Sequence, residues 1–274
     1  MNKERIDKLV VQQGLVDTRE KARRLIMAGQ IYDQNNQRYD KPGEKITVDH
    51  EMHIKGKSLP YVSRGGLKLE KAIKAFEIDM NNQILLDIGA STGGFTDVAL
   101  QFGAKQSYAL DVGYNQLAYK LRTDDRVIVM ERQNFRYAKP EDFNQGQPTI
   151  ASIDVSFISL KLMLAPLREI LIDNGSVIAL IKPQFEAGPE RIGKNGVIRD
   201  IQVHKDVLNE VIDYIYEIGY QIKGLTFSPI TGGEGNIEFL IHLVNSKDVD
   251  SNPTLNCFDI EPVVEEAYQV LLKG

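Results

Sequence analysis

The chain has 274 residues, is 42% hydrophobic and 26% charged, and carries a formal net charge of −5. This is ordinary composition for a globular protein, with length enough for a small domain and a medium one. Apolar runs such as 84–86 and 177–181 are far too short to span a bilayer, and MNKERIDKLVVQQ lacks the apolar core of a secretory signal, so the cytosol is expected.

Cys257 is the single cysteine, which excludes a disulfide framework and a cysteine metal cluster. His50, His53, His204 and His242 show no zinc spacing, and no metal is expected. The charge is uneven: residues 1–71 carry +5 and the remainder −10. A basic small domain on an acidic larger one fits a polyanionic partner for the former.

Apolar spacing predicts a helix over 4–13, with Ile6, Leu9 and Val10 on one face, stopped by Gly14. Asp17 or Thr18 caps a second helix running to Ala28, which Gly29 ends. That helix carries Arg19, Lys21, Arg23 and Arg24 opposite an apolar side of Ala22, Leu25 and Ile26. Short strands are expected at 31–32, 46–48 and 52–54, separated by the DQNNQ and KPGEK turn signals.

The stretch GLVDTREKARRLIMAGQI, within residues 4–60, resembles the S-four RNA-binding domain. The resemblance implies a small α+β fold over residues 1–60. Its second helix would meet RNA phosphates through Arg19, Lys21, Arg23 and Arg24, with Arg64 as a further contact.

Beyond residue 60 strands and helices alternate. Strands are expected at 84–88, 106–111, 127–130, 149–154, 176–182, 221–227 and 237–243, with helices near 64–77, 94–102, 115–121, 159–172 and 202–218. The pattern predicts an α/β domain over 61–274, a Rossmann-like, mostly parallel sheet with helices on both faces. A last helix, EPVVEEAYQVLLK, is expected to dock through Val263, Val264, Ala267, Val270 and Leu271.

The first strand of this domain leads into LDIGASTGGFTDVAL, where Gly89, Gly93 and Gly94 make a strand-to-helix turn that admits close backbone approach to a ligand. Ser91 stands where a dinucleotide fingerprint has its second glycine. Asp111, ending the second strand, is placed to accept from ribose hydroxyls, and Asn134 and Phe135 to border an adenine. The run from Gly188 to Asn195 is one residue short of a phosphate-binding P-loop; Asn195 lacks the magnesium-binding hydroxyl and no helix follows directly, so it reads as a flexible loop near the active site. Lys68, Asp154, Lys182 and Glu238 fall at or near strand ends, where a doubly wound sheet carries its site.

The glycine phrase resembles the S-adenosylmethionine motif of methyltransferases. The set Lys68, Asp154, Lys182 and Glu238, with SRGGLKL and KPQFEAGPERIGKNGVIRD, is similar to the FtsJ/RrmJ-like ribose methyltransferases over roughly 62–245. Joined to the S-four-like domain, the match is to the TlyA family, whose members often carry a haemolysin label. That resemblance implies S-adenosylmethionine-dependent 2′-O-methylation of ribosomal RNA, cytidine being the nucleoside. Ribosomal RNA or a ribosomal subunit would be the partner, with neither metal nor membrane required. It implies a cofactor site of Asp87, Gly89, Ser91, Gly93, Gly94, Phe95, Asp111, Val112, Asn134, Phe135 and Asp154. Lys182 would steer or deprotonate the ribose hydroxyl, beside Lys68, with Asp154 and Glu238 orienting the lysines. Rival readings stand beside this one: a membrane-active haemolysin, and a base methyltransferase or an RNA-binding protein with a degenerate methyltransferase domain.

Overall fold

The computed structural model describes residues 3–55, 59–232, 235–247 and 259–272; Cys257 and Lys273 lie outside them. The chain divides into two compact units, Met1–Arg64 and Gly65–Gly274. Among the described residues no helix is long and apolar enough to cross a membrane.

The first unit runs β1 (Lys3–Arg5), α1 (Ile6–Gln12), α2 (Arg19–Met27), β2 (Ile31–Asp33), β3 (Arg38–Tyr39), β4 (Lys45–Thr47) and β5 (Met52–Ile54). Helix α1 begins later than its periodicity suggests because Lys3–Arg5 pair antiparallel with β4. Gly14, at φ 72°, supplies the left-handed turn after α1. Thr18 then caps α2, its hydroxyl accepting from the Lys21 N–H at 3.2 Å. Ile6, Leu9, Val10, Ala22, Leu25 and Ile26 form one core with Ile31, Tyr39, Ile46 and Met52. The DQNNQ turn is organised by Asp33, whose carboxylate accepts from the N–H groups of Asn35 and Gln37 and from the Tyr39 hydroxyl.

One charge within this core is absent from any periodic pattern. Asp7 is fully buried, and Arg5 donates to both its oxygens while the Arg19 Nε donates to Oδ2, each at 2.9 Å. Burial pushes the Asp7 carboxyl up, but the two guanidinium groups outweigh it and hold the carboxyl below its ordinary value. Arg19 is therefore a clasp between α1 and α2 as well as a surface cation.

The second unit runs α3 (Gly66–Ala75), β6 (Ile84–Ile88), α4 (Gly94–Gln101), β7 (Gln106–Asp111), α5 (Tyr119–Arg122), β8 (Val127–Glu131), β9 (Ile150–Ile153) and α6 (Lys161–Ile170). It continues with β10 (Gly175–Ile181), α7 (Pro183–Glu186), α8 (Ile201–Glu217), β11 (Gln221–Phe227), β12 (Phe239–Asn245) and α9 (Glu261–Leu272). The seven strands lie in the order β11-β12-β10-β9-β6-β7-β8, with β12 antiparallel to both neighbours and β10-β9-β6-β7-β8 parallel. The chain steps outward from β6 through β7 to β8, then returns to the other side of β6 with β9. That reversal is where a doubly wound sheet opens a crevice at its carboxyl edge.

Helix α9 packs on the core through Val264 and Ala267, both fully buried, whereas Val270 is 54% exposed. Val270 is thus not a docking residue: the helix touches the core along a narrower stripe than its apolar content suggests. Between Gly188 and Asn195 the chain makes separate 3-10 turns, and Asn195 adopts φ 63°, so the P-loop-like spacing builds no phosphate cradle at a helix start.

The clasp at Asp7 yields a stability test. Arg19→Gln is expected to destabilise the protein by about 1–3 kcal/mol in urea unfolding, while Arg23→Gln stays within about 0.5 kcal/mol. Because the folded carboxyl titrates below the usual 3.8, the Arg19 contribution is present at neutral pH and fades as the pH falls through that range. Equal effects of the two substitutions at pH 7 would contradict the clasp.

Candidate active site

The carboxyl edge of the sheet gathers side chains from four separate segments. In the antiparallel register of β10 and β12, Ile181 faces Phe239. The residue after one strand, Lys182, and the residue before the other, Glu238, therefore emerge at the same edge. In the parallel register of β6 and β9, Ile88 faces Ile153, which sets Gly89 beside Asp154. Lys68 reaches this edge from the first turn of α3.

These side chains form one alternating chain of charge. Lys68 Nζ donates to Glu238 Oε2 at 2.6 Å and lies 3.4 Å from Asp154 Oδ2. Lys182 is ion-paired with the other oxygen, Asp154 Oδ1, and donates to the Ser156 hydroxyl at 3.1 Å. Lys68, Lys182 and Glu238 are 7%, 6% and 2% exposed, so these are largely desolvated charges held by one another. Burial alone pulls the Lys68 ammonium down, yet Asp154 and Glu238 together hold it above its ordinary value. Burial likewise pushes Asp154 up, and Lys68 and Lys182 reverse that and keep it ionised. The immediate partner of Lys182 is thus Asp154.

Ser156 was not singled out by sequence; its signal is its place two residues after Asp154 in SIDVSF. The next residue, Phe157, holds φ 63° and is 90% exposed, with its ring 5.0 Å from that of Phe185. A bulky residue in the left-handed region is strained, and such strain collects at functional sites. Glu186 fixes this turn, accepting from the Ser159 hydroxyl and the Leu160 N–H, each at 2.7 Å.

The glycine turn lies beside this chain. Gly89 and Gly93 adopt φ 86° and 90°, and Ser91 follows into the left-handed region at 48°. A Cβ on Gly89 would sit 2.6 Å from the Asp154 carbonyl, and one on Gly93 would collide with Leu121. Asp111 Oδ2 accepts from the Ser91 N–H at 2.8 Å and Oδ1 from the Gly113 N–H at 2.6 Å, tying the ends of β6 and β7 together. A carboxylate has about four acceptor positions, so these two bonds leave capacity for ribose hydroxyls. Val112, 70% exposed, adds an apolar surface next to it.

Other expected ligand residues serve the scaffold. Phe135 is 2% exposed and part of the core, and Asn134 accepts from the Arg136 N–H to start a 3-10 turn, so Phe135 does not border an open adenine site. Phe95 is likewise buried in α4, as is Gly94. Asp87 is 1% exposed; its oxygens accept from the Thr96 N–H and hydroxyl and from the Ser152 hydroxyl, joining β6, α4 and β9 beneath the turn. In the first unit Lys21 and Arg23 are exposed, Arg24 and Arg64 half-buried, and Arg19 is paired with Asp7.

The chain is similar to known proteins over most of its length. The profile described as FtsJ-like methyltransferase matches residues 61–245, and that of the S4 domain matches 4–51. YqxC of Bacillus subtilis, which bears the name of an rRNA methyltransferase, is 59% identical, covering 98% of this chain and 95% of its own. The 16S/23S rRNA (cytidine-2′-O)-methyltransferase TlyA of Mycobacterium tuberculosis is 37% identical over 89% of this chain and 91% of its own. A solved structure from Streptococcus thermophilus, labelled a hemolysin, is 55% identical with a TM-score of 0.79, covering 100% and 98% of the two chains.

The buried carboxylate under the turn is open to measurement. Burial raises the Asp87 carboxyl from 3.8 to about 6, against the pull of its hydroxyl and N–H partners. A raised carboxyl favours the folded state below pH 3.8, and that contribution is lost as the pH rises through 6. Relative to wild type, Asp87→Asn should therefore gain on the order of 2–3 kcal/mol between pH 4 and pH 7 in chemical unfolding. A difference independent of pH would show that Asp87 titrates normally.

Proposed function

The chain belongs to the FtsJ-like methyltransferase family, as one of its S4-bearing TlyA members, and from that premise we propose the following action. It transfers a methyl group from S-adenosylmethionine to a ribose 2′-hydroxyl of ribosomal RNA, in the cytoplasm where that RNA is assembled. We assign cytidine as the target nucleoside, following the activity named for the mycobacterial relative. The observation that carries the reading is the buried Glu238–Lys68–Asp154–Lys182 chain beside the glycine turn.

The residues fit the cofactor. Gly89, Ser91 and Gly93 hold the backbone in a left-handed turn, packed so closely on Asp154 and Leu121 that neither glycine could carry a Cβ, and Asp111 retains acceptor capacity for a ribose. Bound there, S-adenosylmethionine supplies a methyl group already activated on a sulfonium. The protein's own task is then alignment and removal of one proton. A ribose hydroxyl is a poor nucleophile, so its oxygen must be held in line and its proton taken up. Lys182 is suited to this: its Nζ is fixed by Asp154 and Ser156, and accepts a proton once it has released one. Lys68, gripped by Glu238, sets the far oxygen of Asp154 and keeps that carboxylate ionised.

RNA suits the surroundings. The exposed Phe157 ring, backed by Phe185, offers a stacking face close to Lys182, whose Nζ is 5.9 Å from the Phe185 centroid. After β7 and β8, Arg132 lies 4.0 Å over Tyr114 and Arg136 lies 5.4 Å over Tyr137, pairs that combine phosphate-binding charge with stacking rings. Lys21, Arg23 and Arg24 supply cations on the S4 domain.

Two substitutions test the assignment. Lys182→Arg keeps the charge but is effectively never deprotonated, so Lys182→Arg and Lys182→Ala should both lose at least about 100-fold in single-turnover methylation, a general-base contribution, with cofactor and RNA binding retained. A stable Lys182→Arg enzyme at the wild-type rate would remove proton acceptance from this residue. Asp111→Ala should weaken S-adenosylmethionine by about 1–3 kcal/mol in calorimetry, and unchanged affinity would take Asp111 out of the site.

A further inference from the structure

The carboxylate of Glu238 must meet Lys68 from a strand that starts only at the following residue, so the backbone leading into it needs its own support. That support is visible two residues upstream. Asn236 is 3% exposed, its Oδ1 accepts from the Ile198 N–H at 3.1 Å and its Nδ2 donates to the Gly196 carbonyl at 2.9 Å. Its own carbonyl accepts from the Gly232 N–H at 2.8 Å, and the Glu238 carbonyl accepts from the Ser228 N–H at 2.8 Å. Gly232 lies so close to Glu238 Oε1 that an added Cβ would collide with the carboxylate. The approach to Glu238 is therefore folded back on itself and tied sideways to residues 196–198.

Those residues are anchored in turn. The Tyr268 hydroxyl, on α9, donates to the Arg199 carbonyl at 3.1 Å, and the Asp200 side chain accepts from the Gln202 N–H at 2.8 Å to start α8. Helix α9 lies beyond residue 245, where the methyltransferase profile ends. The stretch with P-loop-like spacing thus leads into a strap fastened to α9 at one end and to Asn236 at the other.

We infer that Asn236 is a positioning residue for methyl transfer: by gripping residues 196–198 it fixes Glu238 on Lys68, and α9 steadies the strap through Tyr268. This rests on the proposed role of the four-residue charge chain. Asn236 touches neither substrate nor cofactor in this scheme; it acts through Glu238.

Asn236→Asp is the sharp variant, because it keeps an acceptor for the Ile198 N–H but turns a carboxylate oxygen toward the Gly196 carbonyl. The assay is single-turnover methylation of ribosomal subunits from cells lacking the protein, at saturating cofactor, beside cofactor and RNA affinities. The rate should fall about tenfold to 100-fold, as small misplacements of catalytic groups do, with both affinities within about twofold of wild type. In a Glu238→Gln background the same substitution should cost less than about twofold, because residues acting through one another are not additive. A merely structural Asn236 would multiply its full loss onto Glu238→Gln, and that result, or a wild-type rate for Asn236→Asp alone, overturns the proposal. Glu238→Gln at the wild-type rate would instead overturn the role of the charge chain itself. If Asn236→Asp does not fold, Tyr268→Phe frees the other end of the strap. A rate loss of about two- to fivefold that vanishes in Glu238→Gln supports the inference, and an unchanged rate overturns it.

Discussion

The Asp154 carboxylate held between two lysines is the constraint on which the catalytic unit depends. One oxygen faces Lys68 and the other Lys182, and Glu238 closes the far side of Lys68. Two carboxylates and two ammonium groups sum to zero, which is what allows four charges at such low exposure. Removing one member leaves an uncompensated charge in a poorly solvated place, at a cost of several kcal/mol. The sheet serves this balance directly. The parallel β9 and β10 deliver Asp154 and Lys182 from their carboxyl ends, and the reversed β12 delivers Glu238 from its start.

Around that balance, loops are held by carboxylates that accept from hydroxyl and N–H donors. Asp87 joins Thr96 and Ser152 under the glycine turn, and Glu186 joins Ser159 and Leu160 under the Phe157 turn. Burial pushes both carboxyls above their ordinary values. The same loops carry left-handed non-glycine residues, Ser91 and Phe157, each a cost of about 1–3 kcal/mol that the surrounding bonds must offset. Strain and buried hydrogen bonding thus sit together at the carboxyl edge, where a pre-shaped site needs backbone that cannot relax.

The S4 domain meets the same problem on a smaller scale. Its core is one modest apolar cluster, and it places a charge, Asp7, within reach of Arg5 and Arg19. The pairing orders α1 against α2 and in doing so takes Arg19 partly out of the set of free surface cations. Lys21 and Arg23 stay exposed on the same helix, Lys21 with Asp17 3.7 Å away.

The sequence by itself determined whatever repeats locally. Short apolar stretches set the strands at 84–88, 106–111 and 221–227, Gly14 and Gly29 marked helix ends, and LDIGASTGGF declared a ligand-approaching turn before any fold was known. The motif phrases also named Lys68, Asp154, Lys182 and Glu238. Only the tertiary structure decided who touches whom. Nothing in SIDVSF or NIEFLIHL says that β12 runs against β10, yet that register brings Glu238 to the edge that carries Lys182 and leaves Lys182 on Asp154 and Ser156. The same holds for Phe135 turned into the core, Val270 left in solvent, and Asp7 and Asn236 buried with their partners. Periodicity reports one element's own faces, because it arises from bonds within a few residues. Strand register and the matching of buried polar groups arise between residues far apart in the chain, and they are settled only when the sheet closes and water is excluded.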